Sequence, residues 1–133
     1  YKSADFEAEV MQLTDGKGVD VTYDSVGNDT MARSLTSTRR HGTIIAFGQS
    51  SGPYLDFKIT DLAKGSYKLS RPTLFHFVAE REWLEASAAK LFTAVTDGTL
   101  NISINQKYAL EDVAKAHDAL TGRATTGSTI LTV

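Results

Sequence analysis

Val19-Asp20-Val21-Thr22-Tyr23-Asp24-Ser25-Val26-Gly27 and Gly42-Thr43-Ile44-Ile45-Ala46-Phe47-Gly48 are the two stretches that decide the fold. The first is rich in β-branched and aromatic residues and predicts a strand over residues 19–26, closed by Gly27. The second contains a continuous apolar run over residues 43–47, the pattern of a strand covered on both faces in a parallel sheet. Between them, Met31 and Leu35 keep helical spacing, with Asn28 or Asp29 as the N-cap. Arg39, Arg40 and His41 fall in the expected last turn of that helix, where cations suit the negative end of the dipole. Gly42 then takes the left-handed position that ends it.

Working outward, Phe6, Val10 and Leu13 share one helical face, and Asp15-Gly16-Lys17-Gly18 stops that helix with turn chemistry. Downstream, Gly48-Gln49-Ser50-Ser51-Gly52-Pro53 reads as a loop, residues 59–64 as a short helix and Tyr67-Lys68-Leu69-Ser70-Arg71 as a third strand stopped by Pro72. Helix, strand, helix, strand, helix, strand implies successive crossovers and a parallel α/β sheet. The pattern changes near residues 72–75. Beyond it, residues 80–96 predict a long helix with Leu84, Ala88, Leu91 and Val95 on one stripe, ended by Gly98. Ile102 and Ile104 alternate in a short extended piece. Residues 111–120 form a helix with Val113, Ala116 and Leu120 facing in, closed by Gly122, and residues 128–133 a last strand. The domains expected are residues 1–73 and 74–133.

The 133 residues carry 14 Lys+Arg against 16 Asp+Glu, a net charge of −2, so no basic excess draws the chain to nucleic acid or an anionic membrane. Without cysteine it has no disulfide, thiolate zinc site or Fe–S cluster of its own. No apolar run approaches the roughly 18 residues of a membrane span. His41, His76 and His117 lack the spacing of a helical metal pair, and Gly16-Lys17-Gly18 precedes a strand and lacks a third glycine, so it is a turn. The chain opens at Tyr1 with a helical pattern almost at once, the expected look of the tail of a longer protein or of a processed start.

Gly48-Gln49-Ser50-Ser51-Gly52 fits the G-x-S-x-G nucleophile elbow, and Asp97 or Asp112 with His117 follow in the chain order of a serine hydrolase. Pro53 and Tyr54-Leu55-Asp56-Phe57 do not read as the helix an elbow leads into. The same loop has another reading. Ligands of open parallel sheets sit beyond the carboxyl ends of the strands, where Gly27 and Gly48 let a ligand approach the backbone and Phe47 can pack on a ring. Plain strand-exit turns, or a non-enzymatic α/β interaction module, are the alternatives.

Read end to end, the chain resembles the zinc-independent quinone oxidoreductases (zeta-crystallin-like) of the medium-chain dehydrogenase/reductase superfamily. The resemblance rests on Val21-Thr22-Tyr23-Asp24-Ser25-Val26-Gly27, on the stretch from Gly42 to Gly52 and on Ser70-Arg71-Pro72. Most specific are Tyr108-Ala109-Leu110-Glu111-Asp112-Val113-Ala114-Lys115-Ala116-His117 and Gly122-Arg123-Ala124-Thr125-Thr126-Gly127-Ser128. It covers the whole chain but well under half of such an enzyme, its C-terminal part. The resemblance implies the second half of a doubly wound, Rossmann-type dinucleotide-binding domain, then a segment that returns to the catalytic domain. It also implies metal-free, NADPH-dependent hydride transfer to quinones or related carbonyl and enone acceptors. By the same resemblance Val26 and Gly27 lie near the cofactor, and Phe47, Gly48, Gln49 and Ser50 lie under the nicotinamide and its ribose. Arg71 and Arg123 reach the dinucleotide, and Tyr1 lies beside the adenosine 2′-phosphate. Asp112 and His117 are structural, and no residue here is catalytic, since hydride transfer is cofactor chemistry plus positioning. A cytoplasmic homodimer joined through residues 67–71, with no nucleic-acid or membrane partner, completes the expectation.

Overall fold

A computed structural model describes residues 4–133, so Tyr1 lies outside the described residues. The chain divides into two compact units, Tyr1–His76 and Phe77–Val133. In the first unit, helix α1 (Phe6–Leu13) leads to strand β1 (Val19–Asp24), helix α2 (Met31–Thr36) and strand β2 (Thr38–Ala46). A 3-10 helix (Ile59–Lys64) and strand β3 (Lys68–Ser70) follow. The sheet runs in the order β1-β2-β3, and both pairings are parallel. The α/β class and the parallel sheet are therefore as the strand pattern predicts.

The core sits on the central strand. Ile44 is fully buried, and with Met31 and Leu35 of α2 it forms a cluster against which Ala46, Tyr54, Leu62, Tyr67 and Leu69 pack. The apolar spacing of α2 thus faces the middle of the sheet.

Between the first two strands the fold departs from the sequence pattern. α2 ends at Thr36, and neither Asn28 nor Asp29 caps it. The N-cap is Thr30, whose hydroxyl makes no cap bond and turns to Asp24 instead. Arg39, Arg40 and His41 are not in a helical last turn but in β2. Val19 pairs with Thr38 and Val21 with Thr43, so residues 39–42 bulge out of the ladder. Two anchors draw the chain into the strand this early. The Val19 amide donates to the Ser37 carbonyl at 2.9 Å, and the Thr38 hydroxyl, buried, lies 2.6 Å from that of Thr22. The left-handed residue is His41 at φ 62, not Gly42. Gly42 is required for space: a Cβ there would stand 2.4 Å from Thr38 Cγ2 and 2.8 Å from the Arg39 carbonyl oxygen.

In the second unit, helix α4 (Arg81–Thr96), which follows the short helix α3 (Leu74–Phe77), precedes strand β4 (Ile104–Ala109). Helix α5 (Val113–Thr121) and strand β5 (Ser128–Thr132) complete it. β4 and β5 pair in parallel, Ile104 opposite Ser128 through Ala109 opposite Thr132. The strand therefore begins at Ile104, leaving Ile102 outside it. Ala116 on α5 is buried, whereas Leu84, Leu91 and Val95 of the α4 stripe are exposed. No helix among the described residues is long and apolar enough to cross a membrane.

Because Ile44 is the one fully buried side chain among the described core residues, Ile44→Ala should cost about 2–5 kcal/mol. Urea denaturation followed by circular dichroism measures this. A loss under about 1 kcal/mol would mean that the core collapses around the gap.

Candidate functional site

Asp24 ends β1 and is 4% exposed, an expensive place for a carboxylate without partners. Four donors answer it. Its Oδ1 accepts from the Val26 and Gly27 amides, both at 2.9 Å. The Thr30 hydroxyl reaches Oδ2 at 2.8 Å, and the Ser34 hydroxyl reaches the same oxygen at 2.6 Å. Burial alone would raise this carboxyl, but the bonds from Ser34, the two amides and Thr30 outweigh it and hold it below the usual carboxylate range. The carboxylate thereby pins the turn after β1 to the first turn of α2. The Gly27 carbonyl closes the same joint by accepting from the Thr30 and Met31 amides at 3.0 and 2.8 Å.

The loop leaving β2 lies across that turn. The Phe47 amide donates to the Asp24 carbonyl, Ser50 to that of Ser25, Ser51 to that of Val26, and the Asn28 amide to that of Gly52, at 2.8–3.2 Å. The approach is too close for side chains: a Cβ on Gly27, which sits at φ 88, would be 2.5 Å from the Gly52 carbonyl oxygen. One on Gly48 would be 2.5 Å from that of Ser25.

Beyond the carboxyl ends of the strands these loops border a pocket of about 270 Å³. Of the residues singled out in the sequence, Gly27, Gly48, Gln49 and Arg71 meet there. Phe47 and Ser50 are exposed at the rim loop without lining it, and Val26 lines a separate depression with Phe6 and Tyr23. Arg123 belongs to the second unit and holds the left-handed conformation, φ 57, just past α5. The rest of the lining was not read from the sequence: Met31 and Leu69 look like core by their periodicity, and Tyr54 and Phe57 like loop residues. They give the pocket an apolar wall, while Gln49 and Arg71 supply its polar side chains. An amphipathic ligand with a flat ring and an electron-rich polar group suits that lining.

The elbow reading of Ser50 fails on geometry. No helix follows residues 48–52, and the next regular element is the 3-10 helix at Ile59–Lys64. The second serine of the motif is engaged within the loops, its hydroxyl donating to the Val26 carbonyl at 2.7 Å. Among the described residues no group of three or more His, Asp or Glu side chains is placed to hold a metal ion.

Replacing Asp24 with Asn keeps the shape and removes the charge that Ser34, the two amides and Thr30 answer, a change worth about 1.5–3 kcal/mol near neutral pH. The sign of the pH effect follows from the lowered folded pKa. The stabilisation is complete above the unfolded value of about 3.9 and is lost as pH falls through the lower folded value. Urea melts at a series of acid pH values should therefore show a shallower decline for Asp24→Asn than for the parent. Parallel curves would remove Asp24 from the acid transition, leaving Asp5, Asp61 and Asp97, which are also lowered, to carry it.

Comparison with known proteins places this geometry in a family. Residues 1–131 match the family described as zinc-binding dehydrogenase. A quinone oxidoreductase of Pseudomonas aeruginosa is 42% identical over 98% of this chain, which covers 41% of that relative. The crystal structure of quinone oxidoreductase from Pseudomonas syringae pv. tomato DC3000 superposes with a TM-score of 0.90 at 40% identity, over 100% of this chain and 41% of that one. That of Escherichia coli quinone oxidoreductase complexed with NADPH gives 0.91 at 37% identity, over 100% and 42%. The chain thus spans about two-fifths of the length of these relatives. With its parallel sheet and its sequence in agreement, the chain belongs to the zinc-binding dehydrogenase family, and the relatives it matches here are quinone oxidoreductases.

Proposed function

We propose that this chain supplies the C-terminal share of an NADPH-dependent quinone oxidoreductase. Residues 1–73 would be half of the dinucleotide-binding domain, and residues 74–133 a segment that packs on the catalytic domain. The observation that carries the reading is the pocket where Gly27, Gly48, Gln49 and Arg71 converge beyond the strand ends. Its chemistry fits one portion of a dinucleotide: backbone bared by glycine, an apolar wall for a ring, and a guanidinium for phosphate or a carboxamide oxygen. At about 270 Å³ it is too small for the whole cofactor, in keeping with a site completed elsewhere in a longer protein.

In this reading Val26 and Gly27 lie near the cofactor. Phe47, 51% exposed and so available to a ring, lies with Gly48, Gln49 and Ser50 under the nicotinamide and its ribose. Arg71 and Arg123 hold the dinucleotide, and Tyr1 meets the adenosine 2′-phosphate. Bound NADPH would supply a hydride, and a quinone that took it with a proton from solvent would become the hydroquinone. The residues of this chain bind and orient, and none of them exchanges a proton with the acceptor. Related enones and other activated carbonyl compounds are acceptors of the same class. The protein works as a cytoplasmic homodimer without metal, nucleic acid or membrane. Its two copies join through β3, which lies at an edge of the sheet with one row of peptide groups unpaired.

Three experiments test this. Titrated with NADPH by nicotinamide fluorescence, the 133-residue chain should bind more weakly than micromolar and turn over no quinone. In the full-length protein Arg71→Ala and Arg123→Ala should each lower affinity about tenfold or more, the worth of a charge-assisted hydrogen bond. Unchanged affinity in both variants refutes the assignment of the arginines, and a full-length protein that ignores NADPH refutes the function. For the dimer, light scattering on Leu69→Pro should show monomers, because proline removes a ladder donor from the edge. A dimer that survives the substitution moves the interface away from β3.

A further inference from the structure

The G-x-S-x-G stretch contains two serines, and the second has a role that the cofactor reading leaves open. We propose that Ser51 is the positioning residue of this pocket: its hydroxyl locks the two strand-exit loops together, so that both walls of the NADPH site are set before the cofactor arrives. The inference rests on the reading of the pocket as an NADPH site.

The argument starts from what the turn after β1 lacks. Asp24 takes the Val26 and Gly27 amides, and the Gly27 carbonyl takes the amides of Thr30 and Met31. The Val26 carbonyl and the Asp29 amide are left on either side of Gly27 without partners inside the turn. Ser51 answers both. Its amide and its hydroxyl donate to the Val26 carbonyl at 2.8 and 2.7 Å, and its Oγ accepts from the Asp29 amide at 3.0 Å. One hydroxyl uses its proton on one side of Gly27 and a lone pair on the other. An alanine at this position would keep the backbone bond and lose both side-chain bonds.

Ser51 lies on the same loop as Gly48 and Gln49, which form the facing wall. The two walls also touch without slack, since a Cβ on Gly27 would stand 3.1 Å from Gln49 Cα. Half-buried Ser51 therefore adds side-chain bonds on both sides of Gly27 to the backbone bonds that hold the loops, whereas Ser50 is exposed and ties to the turn through its amide. Without the hydroxyl the backbone bonds still join the loops, but the Val26 carbonyl loses one of its two bonds and the Asp29 amide loses its acceptor, so part of the ordering at Gly27 is left to the binding step and affinity falls by that amount.

The test uses the full-length protein and its Ser51→Ala and Ser51→Thr variants. It reads the NADPH dissociation constant by nicotinamide fluorescence and amide hydrogen exchange at Asp29. Ser51→Ala should weaken NADPH binding about tenfold, raise the KM for NADPH with little change in kcat, and speed exchange at Asp29. Ser51→Thr, which keeps the hydroxyl, should restore affinity to within about twofold. Faster exchange in Ser51→Ala with unchanged NADPH affinity overturns the proposal and leaves Ser51 a loop staple. A threonine variant as weak as alanine overturns it too, because the hydroxyl is then not the agent. So does an alanine variant that fails to fold, which would make Ser51 part of the fold itself. A parent protein that does not bind NADPH overturns the function reading, and this inference with it. A parent that binds, beside an alanine variant that binds equally well, overturns this inference alone.

Discussion

A carboxylate carried into the interior must be met by donors, and in this chain the need to satisfy Asp24 organises everything around the strand ends. Its four partners come from the turn after β1 and from the first turns of α2. The direction in which α2 leaves the sheet is therefore set by a hydrogen-bond network rather than by a helix cap. That direction aims Met31 and Leu35 at Ile44 and so determines where the core forms. It also holds Gly27 where the loop from β2 can close against it. Removing the charge would disturb the turn, the helix start and the pocket together, because the carboxylate touches the first two and holds Gly27 of the third.

Much of the framework is legible in the residues themselves. The β-branched run of β1, the apolar run ending β2 and the 3-10 helix at Ile59–Lys64 all fall where composition and turn chemistry put them. Residues 37–42 do not. Arg39, Arg40, His41 and Gly42 have the look of a helix terminus, and local propensity has no means of knowing that Thr38 pairs with Val19 and Thr22 across the sheet. The bulge is a tertiary outcome. Likewise Thr30 resembles an ordinary capping residue until the buried carboxylate of Asp24 claims its hydroxyl.

The candidate site divides in the same way. Glycine at strand exits is a local signal with a local cause, and Gly27 and Gly48 do border the pocket with Gln49 and Arg71. The apolar wall is invisible in the sequence because Met31 and Leu69 carry ordinary core periodicity, and nothing marks Tyr54 or Phe57 as facing a cavity rather than solvent. Asp24 offered the one clue that could have been read: an aspartate closing a strand, followed by a short turn with glycine, is a side chain placed to accept its own turn's amides.

The closeness of the two strand-exit loops has a consequence for how such a protein can change over evolutionary time. Loops at the ends of strands ordinarily absorb insertions and deletions freely, each independent of its neighbours. Here the bonds from Ser50 to Ser25, Ser51 to Val26 and Asn28 to Gly52 impose a register between segments far apart in the chain. One residue gained or lost in either loop would throw every one of these pairs out of step, and the other loop would have to change length in concert. An insertion in either loop should thus be tolerated less well than one on the exposed surfaces, where no such matching is demanded.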